Sequence, residues 1–208
     1  MQIILCENGP FMVNTYLVYK ENTMKGFIID PGSDIGPLLD HCDGNHITVE
    51  SIIATHTHID HIAGVGEVQR RYGIPFYCSE REKDFIKNVS VQARMFGVKD
   101  PGIPEIDRFL PDSGSMTLSG FELQLFHTPG HSPGSLSFYN RENSIVFSGD
   151  ALFNMSIGRT DLPGGSYEEL IRSIEERLFT LPDETTVYPG HGPATTIGSE
   201  KQMNPFFG

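Results

Sequence analysis

The run Thr55-His56-Thr57-His58-Ile59-Asp60-His61 constrains this chain more than any other stretch. Four metal-capable side chains, His56, His58, Asp60 and His61, follow directly on the apolar segment Ile52-Ile53-Ala54. If that segment is a strand running into the motif, side chains two apart point the same way, and His56 and His58 converge on one ion. Asp60 and His61 then fall where the chain turns into a helix, at Asp60-His61-Ile62-Ala63-Gly64-Val65, which aims them at a second ion beside the first. Read as surface-loop histidines, the motif would have no need of its length or of partners downstream.

Three such partners exist. His131, Asp150 and His191 each follow a predicted strand and sit beside glycine, in Pro129-Gly130-His131, Ser148-Gly149-Asp150 and Pro189-Gly190-His191-Gly192. Glycine lets backbone turn sharply and approach closely, so loops from separate strands can meet around an ion. Thr128-Pro129-Gly130-His131 and Tyr188-Pro189-Gly190-His191 also form a coarse repeat, each placing a histidine just beyond a strand end.

The pattern His56-x-His58-x-Asp60-His61, with His131, Asp150 and His191 in order behind it, resembles the signature of the metallo-β-lactamase fold superfamily. The resemblance implies an α/β fold, a four-layer αββα sandwich, as one domain over residues 1–208. It also implies a ligand set. His56, His58 and His131 would hold a first metal, Asp60, His61 and His191 a second, and Asp150 would bridge both. Imidazole and carboxylate suit zinc, with iron and manganese as alternatives. Asp30, in Ile29-Asp30-Pro31-Gly32, either orients a ligand histidine or simply forms a turn. His41, His46 and His127 are read as structural or exposed.

Composition narrows the partners. A net charge of −12 argues against nucleic acid and anionic membrane surfaces, and no segment is long and apolar enough to span a bilayer. Cys6, Cys42 and Cys78 are odd in number without C-x-x-C spacing, which points to reduced, buried thiols. Residues 1–7 lack the basic region and long apolar run of a signal peptide, so the expected location is cytoplasmic. The oligomeric state is not legible.

Periodicity predicts strands at residues 3–5, 11–19, 26–30, 52–55, 74–78, 115–118, 121–126, 135–139, 144–148 and 185–188. Helices are expected over 35–42, 60–72 and 166–179. The second closes at Gly73, and the third opens with the capping box Ser166-x-x-Glu169. The tail holds one short helix, with Phe206 and Phe207 free to pack back. Residues 80–111 are the least legible: either a surface excursion, or a loop overhanging the site with Met95 and Phe96 as an apolar wall.

Within the superfamily, an aspartate at 150 instead of the cysteine of one large lactamase class, and the missing export signal, lower antibiotic hydrolysis on the list. The segment Ser148-Gly149-Asp150-Ala151-Leu152-Phe153, followed by Gly158-Arg159-Thr160-Asp161, is similar to the glyoxalase II family, hydrolases of S-acylglutathione thioesters. That resemblance implies attack of a metal-bridging hydroxide on S-lactoylglutathione, giving lactate and glutathione, with Asp60 and Asp150 as the catalytic carboxylates. Arg159 would clamp a substrate carboxylate with its planar, bidentate donors, or else form an ordinary ion pair. The chain resembles the short form of that family, without the helical domain that adds glutathione contacts, for which Lys201 is a possible substitute. Two alternatives stand beside it. One is a mononuclear iron persulfide dioxygenase using His56, His131 and Asp150, and the other a small-ester or lactone hydrolase of the same fold. A non-catalytic scaffold is disfavoured because every ligand position is filled.

Overall fold

A computed structural model describes residues 1–207. The chain divides into two compact units, residues 1–110 with the turn 118–120, and residues 111–117 with everything from 121 onward. In the first unit, β1 (Gln2–Asn8), β2 (Val13–Lys20) and β3 (Lys25–Ile29) form an antiparallel meander. Helix α1 (Gly36–Gly44) leads to β4 (Thr48–Ile53), which joins β3 in parallel. Two short helices, α2 (Ile59–Ile62) and α3 (Val65–Tyr72), precede β5 (Phe76–Ser79). Helix α4 (Val89–Phe96) then leads to the edge strand β6 (Arg108–Leu110), and the six strands lie in sequence order in one mixed sheet. Leu39, Ile52, Val65, Val68, Phe76 and Val89 pack in the core that this sheet shares with its helices.

The second unit holds another six-stranded sheet, ordered β14-β13-β10-β9-β8-β7. Its strands are β7 (Ser113–Leu118), β8 (Phe121–His127), β9 (Leu136–Asn140), β10 (Ile145–Gly149), β13 (Thr186–Pro189) and β14 (Thr195–Thr196), with a small ribbon of β11 (Leu152–Phe153) and β12 (Ser156–Ile157). Helix α5 (Tyr167–Ser173) runs on into a π-helical turn at Ile174–Leu178, and α6 (Ile197–Met203) is the last element. Leu170, Ile174 and Leu178 are the apolar stripe that the sequence shows, and they pack with Val146, Leu152 and Val187. Half of the expected capping box forms: the Glu169 N–H donates to Ser166 Oγ at 3.3 Å, while the Ser166 N–H donates to Gly130 O instead of to the Glu169 side chain. Phe207 packs back on Phe179 with ring centroids 4.7 Å apart.

Two expectations need correction. The helix expected over 60–72 is two helices, because the chain leaves helical register at Ala63-Gly64. Gly64 N–H donates to Pro31 O, and a Cβ there would lie 2.2 Å from Gly32 O, so close backbone approach takes precedence over helix continuity. The strand expected to carry into Thr55 ends at Ile53. His56 and His58 therefore sit on a loop, and strand alternation is not what orients them.

All three cysteines are free thiols, with Cys42 and Cys78 buried. Burial, with a smaller push from the Glu82 carboxylate, raises the Cys78 thiol to about 12. Among the described residues, no helix is long and apolar enough to cross a membrane.

Candidate metal centre

The first donor set begins where β4 lets go of its neighbours. Ala54 N–H still donates to Tyr77 O, but beyond it no strand partner serves the loop, and side chains take over. Asp30, buried at the end of β3, accepts from Thr55 N–H (2.7 Å) and from Thr55 Oγ1 (2.7 Å). Its Oδ2 also lies 3.0 Å from His61 Nδ1. Thr55 Oγ1 is 3.1 Å from His56 Nδ1, and because its own proton goes to Asp30 it serves there as acceptor. Both histidines are thus protonated on Nδ1, which places the lone pair on Nε2, the form a metal needs. Of the two readings of Asp30, the structure supports the orienting one.

Within this set the donors already crowd together. The rings of His56 and His58 are 4.8 Å apart and nearly perpendicular, and those of His56 and His61 are 4.1 Å apart. His61 Nε2 lies 3.7 Å from Asp60 Oδ2. His56 and His61 are fully buried, whereas the Asp60 side chain keeps 17% of its surface open.

The second set is held differently. Gly149 (φ 52°) ends β10 at a register shift and turns Asp150 out of the ladder. A Cβ on Gly158 would lie 1.9 Å from Asp150 O, so only glycine fits behind the aspartate. Gly130 (φ 123°) would bring a Cβ within 2.3 Å of the Leu170 nitrogen. His131 Nδ1 is 2.8 Å from Arg159 O, which again fixes the lone pair on Nε2. Asp150 Oδ2 then lies 3.4 Å from His131 Nε2 and 3.6 Å from His191 Nε2. His191 is the open member of the set, edge-on to Phe153 with ring centroids 6.1 Å apart.

These spacings provide the fit test. Zinc bonds of about 2.0–2.2 Å at tetrahedral angles set two donors roughly 3.3–3.5 Å apart. The separation of 3.4 Å falls within that range and those of 3.6 and 3.7 Å lie just above it, and one Asp150 oxygen faces two imidazoles at once. The chain carries a histidine and aspartate donor set suited to divalent metal ions.

Two other sequence readings meet their neighbours here. The Arg159 guanidinium is engaged by Asp161, with Nε to Oδ1 and Nη2 to Oδ2 both 2.8 Å, a pairing that holds the Asp161 carboxyl down at about 2. Lys201 pairs with Asp183 at 2.6 Å. His41, beside Asn45, and His46 are exposed, and the part-buried His127 has a structural contact, Nε2 lying 2.9 Å from Pro133 O. The segment after β5 is where sequence reasoning fell shortest. Glu82, buried, accepts from Thr57 N–H and Oγ1, Phe85 stands edge-on to His58, and Gln92 Oε1 accepts from Ile59 N–H. No spacing rule marks these residues, since their partners lie 25 to 33 positions away.

Residues 8–191 match the metallo-beta-lactamase superfamily. The chain is 37% identical to the probable metallo-hydrolase YqgX of Bacillus subtilis, over 95% of this chain and 93% of that one. It is 36% identical to hydroxyacylglutathione hydrolase GloC of Haemophilus influenzae, over 99% and 98%. Two solved structures superpose closely, each 38% identical. They are the BLEG-1 B3 metallo-beta-lactamase (TM-score 0.94, 99% of both chains) and TTHA1623 in a di-iron-bound form (TM-score 0.89, 98% and 99%). The chain belongs to the metallo-β-lactamase superfamily as one of its metallo-hydrolases, with that group's single-domain α/β fold.

Proposed function

We propose that the seven donors hold two divalent metal ions, zinc first among them, and that the chain hydrolyses S-acylglutathione-type thioesters. S-lactoylglutathione is the reference substrate. In this reading His56, His58 and His131 hold one ion, Asp60, His61 and His191 the other, and Asp150 serves both. The observation that carries it is the single Asp150 oxygen facing His131 Nε2 and His191 Nε2 at 3.4 and 3.6 Å. The thioester comes from the 36% identity with the hydroxyacylglutathione hydrolase across nearly all of both chains.

When bound, such ions supply Lewis acidity toward the carbonyl oxygen and bring the pKa of a coordinated water from about 15.7 to near 7. The chain's own residues do the rest. Asp30 and the Arg159 carbonyl hold His61 and His131 in the ligating tautomer. Asp60 and His191 are the most open members of their sets, the positions at which water and substrate would reach each of them. Asp60 and Asp150 are the carboxylates placed to orient that water and take its proton. The leaving thiol has a pKa of about 8.5, so departure as thiolate needs no strong general acid, and none stands in either set. Arg159 binds a substrate carboxylate through Nη1, or by exchange with Asp161.

A second reading, β-lactam hydrolysis, is favoured by the 38% identity to BLEG-1. Metal analysis combined with three assays separates the readings. Two metals per chain and chelator-sensitive, oxygen-independent release of glutathione support the proposal. Turnover of a chromogenic cephalosporin alone favours the second reading. One iron with oxygen uptake on a persulfide would mean a dioxygenase, and a metal-loaded protein inert toward thioesters would end the thioester assignment.

A further inference from the structure

The loop 55–61 is pinned twice. Asp30 takes the amide and hydroxyl of Thr55, the residue before His56. The segment following β5 repeats the device on the other threonine. Glu82 Oε2 accepts from Thr57 N–H at 3.0 Å and from Thr57 Oγ1 at 2.5 Å, and Thr57 is the residue between His56 and His58. Glu82 is fully buried. A carboxylate taken out of water costs several kcal/mol and is tolerated only where strong donors meet it. Without it the N–H and hydroxyl of Thr57, itself fully buried, would lose the acceptor they share.

Two neighbours act on the next two residues. The Phe85 ring meets the His58 ring edge-on at 5.3 Å, a contact that fixes the imidazole's tilt. Gln92, on α4, accepts the Ile59 N–H at 2.9 Å. That amide belongs to the first turn of α2, whose N–H groups have no partner within the helix. Residues 57, 58 and 59 are thus each held by a side chain from residues 82–92.

We infer that Glu82 is a positioning residue of the metal centre, and that with Phe85 and Gln92 it makes residues 80–96 the template for the His56–His58 pair. Of the two residues expected as an apolar wall, Met95 is exposed and Phe96 packs edge-on to Phe11. The inference rests on the two-metal reading above. Glu82 touches neither substrate nor reacting atoms. It fixes the backbone from which two ligands project, so its removal lowers metal affinity before anything else. Donors left free by a few tenths of an ångström bind a metal with lower affinity, and losing a supporting contact of this kind costs about 10–100-fold.

The test uses the full chain. Zinc affinity is measured by chelator competition for wild type, Glu82→Ala, Glu82→Gln and Gln92→Ala, alongside amide hydrogen exchange at Thr57 and Ile59 in the metal-free proteins. Glu82→Ala should bind zinc about 10–100-fold more weakly while its far-UV spectrum stays native. Glu82→Gln, whose carbonyl oxygen can accept both Thr57 bonds, should recover most of that loss. Gln92→Ala should speed exchange at Ile59 and weaken zinc several-fold. If Glu82→Ala does not fold, Glu82→Gln and Gln92→Ala decide: wild-type affinity together with unchanged Ile59 exchange in Gln92→Ala overturns the inference. So does a folded Glu82→Ala with wild-type affinity. A wild-type chain that takes up no metal would instead bring down the two-metal reading itself.

Discussion

The two donor sets answer one requirement in opposite ways. In the loop 55–61 the candidate ligands are nearly contiguous, and buried carboxylates reach in from far along the chain, Asp30 to Thr55 and His61, Glu82 to Thr57. In the other set the ligands are scattered over sixty residues and held by backbone: the positive φ of Gly130 and Gly149, the bare Cα of Gly158 and the Arg159 carbonyl. Contiguous ligands need outside support because a short loop cannot satisfy its own buried amides. Scattered ligands each leave a strand end that is already anchored, and need only a sharp turn.

The largest effect should come from the one residue whose own set gives it two partners. Asp150→Asn keeps the shape but removes the charge that faces His131 and His191. A loss of turnover on the order of 10³-fold is expected, the scale of deleting one preorganised electrostatic group. Steady-state kinetics with metal analysis checks it, and near-normal kcat with both metals in place would break the bridging role.

Backbone support predicts the next effect. Gly158→Ala puts a methyl 1.9 Å from Asp150 O, so the aspartate must move. Crowding of this kind costs about 1–3 kcal/mol. Calorimetry should show a lower Tm, and metal affinity should fall with it. The side-chain support of the first set predicts something different. Asp30→Asn keeps an acceptor for Thr55, but its charge is gone and one oxygen becomes an NH₂ donor, so it cannot serve both Thr55 and His61. Zinc should bind about 10–100-fold more weakly, and the buried donor left without an acceptor lowers Tm as well. A loss of zinc affinity in Gly158→Ala as large as in Asp30→Asn would remove the contrast between the sets.

That contrast also explains what the sequence displayed. The seven candidate ligands are legible because motif and glycine contexts are local, and so are Gly130 and Gly149, which stand beside His131 and Asp150. Gly158 and the Arg159 carbonyl are not, because they lie well away in sequence from the residues they support. Asp30 was ambiguous because the same Asp-Pro-Gly string makes a turn and, folded, an orienting carboxylate. Glu82 and Gln92 were invisible, since a buried glutamate in Ser79-Glu80-Arg81-Glu82 looks like any solvated charge until β5 and α4 bring it under the loop. The break between α2 and α3 was hidden for a related reason, because Gly64 answers to Gly32, far back along the sequence.

The smallest effect concerns the Arg159 side chain. Its bidentate bond to Asp161 is the main cause that holds the Asp161 carboxyl at about 2, from an ordinary 3.8. A carboxyl depressed by folding contributes stability that is complete above the unfolded value and is lost as pH falls through the folded one, here between about 3.8 and 2. Both side chains are exposed, so solvent screens the pair and the change in stability is slight. The titration itself is the sharper readout. By carboxyl-detected NMR, Asp161 should titrate near 2 in the wild type and return toward 3.8 in Arg159→Ala, with His131 still held because the Arg159 carbonyl remains. Asp161→Asn should release the guanidinium, and if Arg159 clamps the substrate carboxylate, KM for an S-acylglutathione falls while kcat stays. An unchanged KM would leave Arg159 as a backbone support for His131 alone, and both donor sets would then be held without any help from the substrate side.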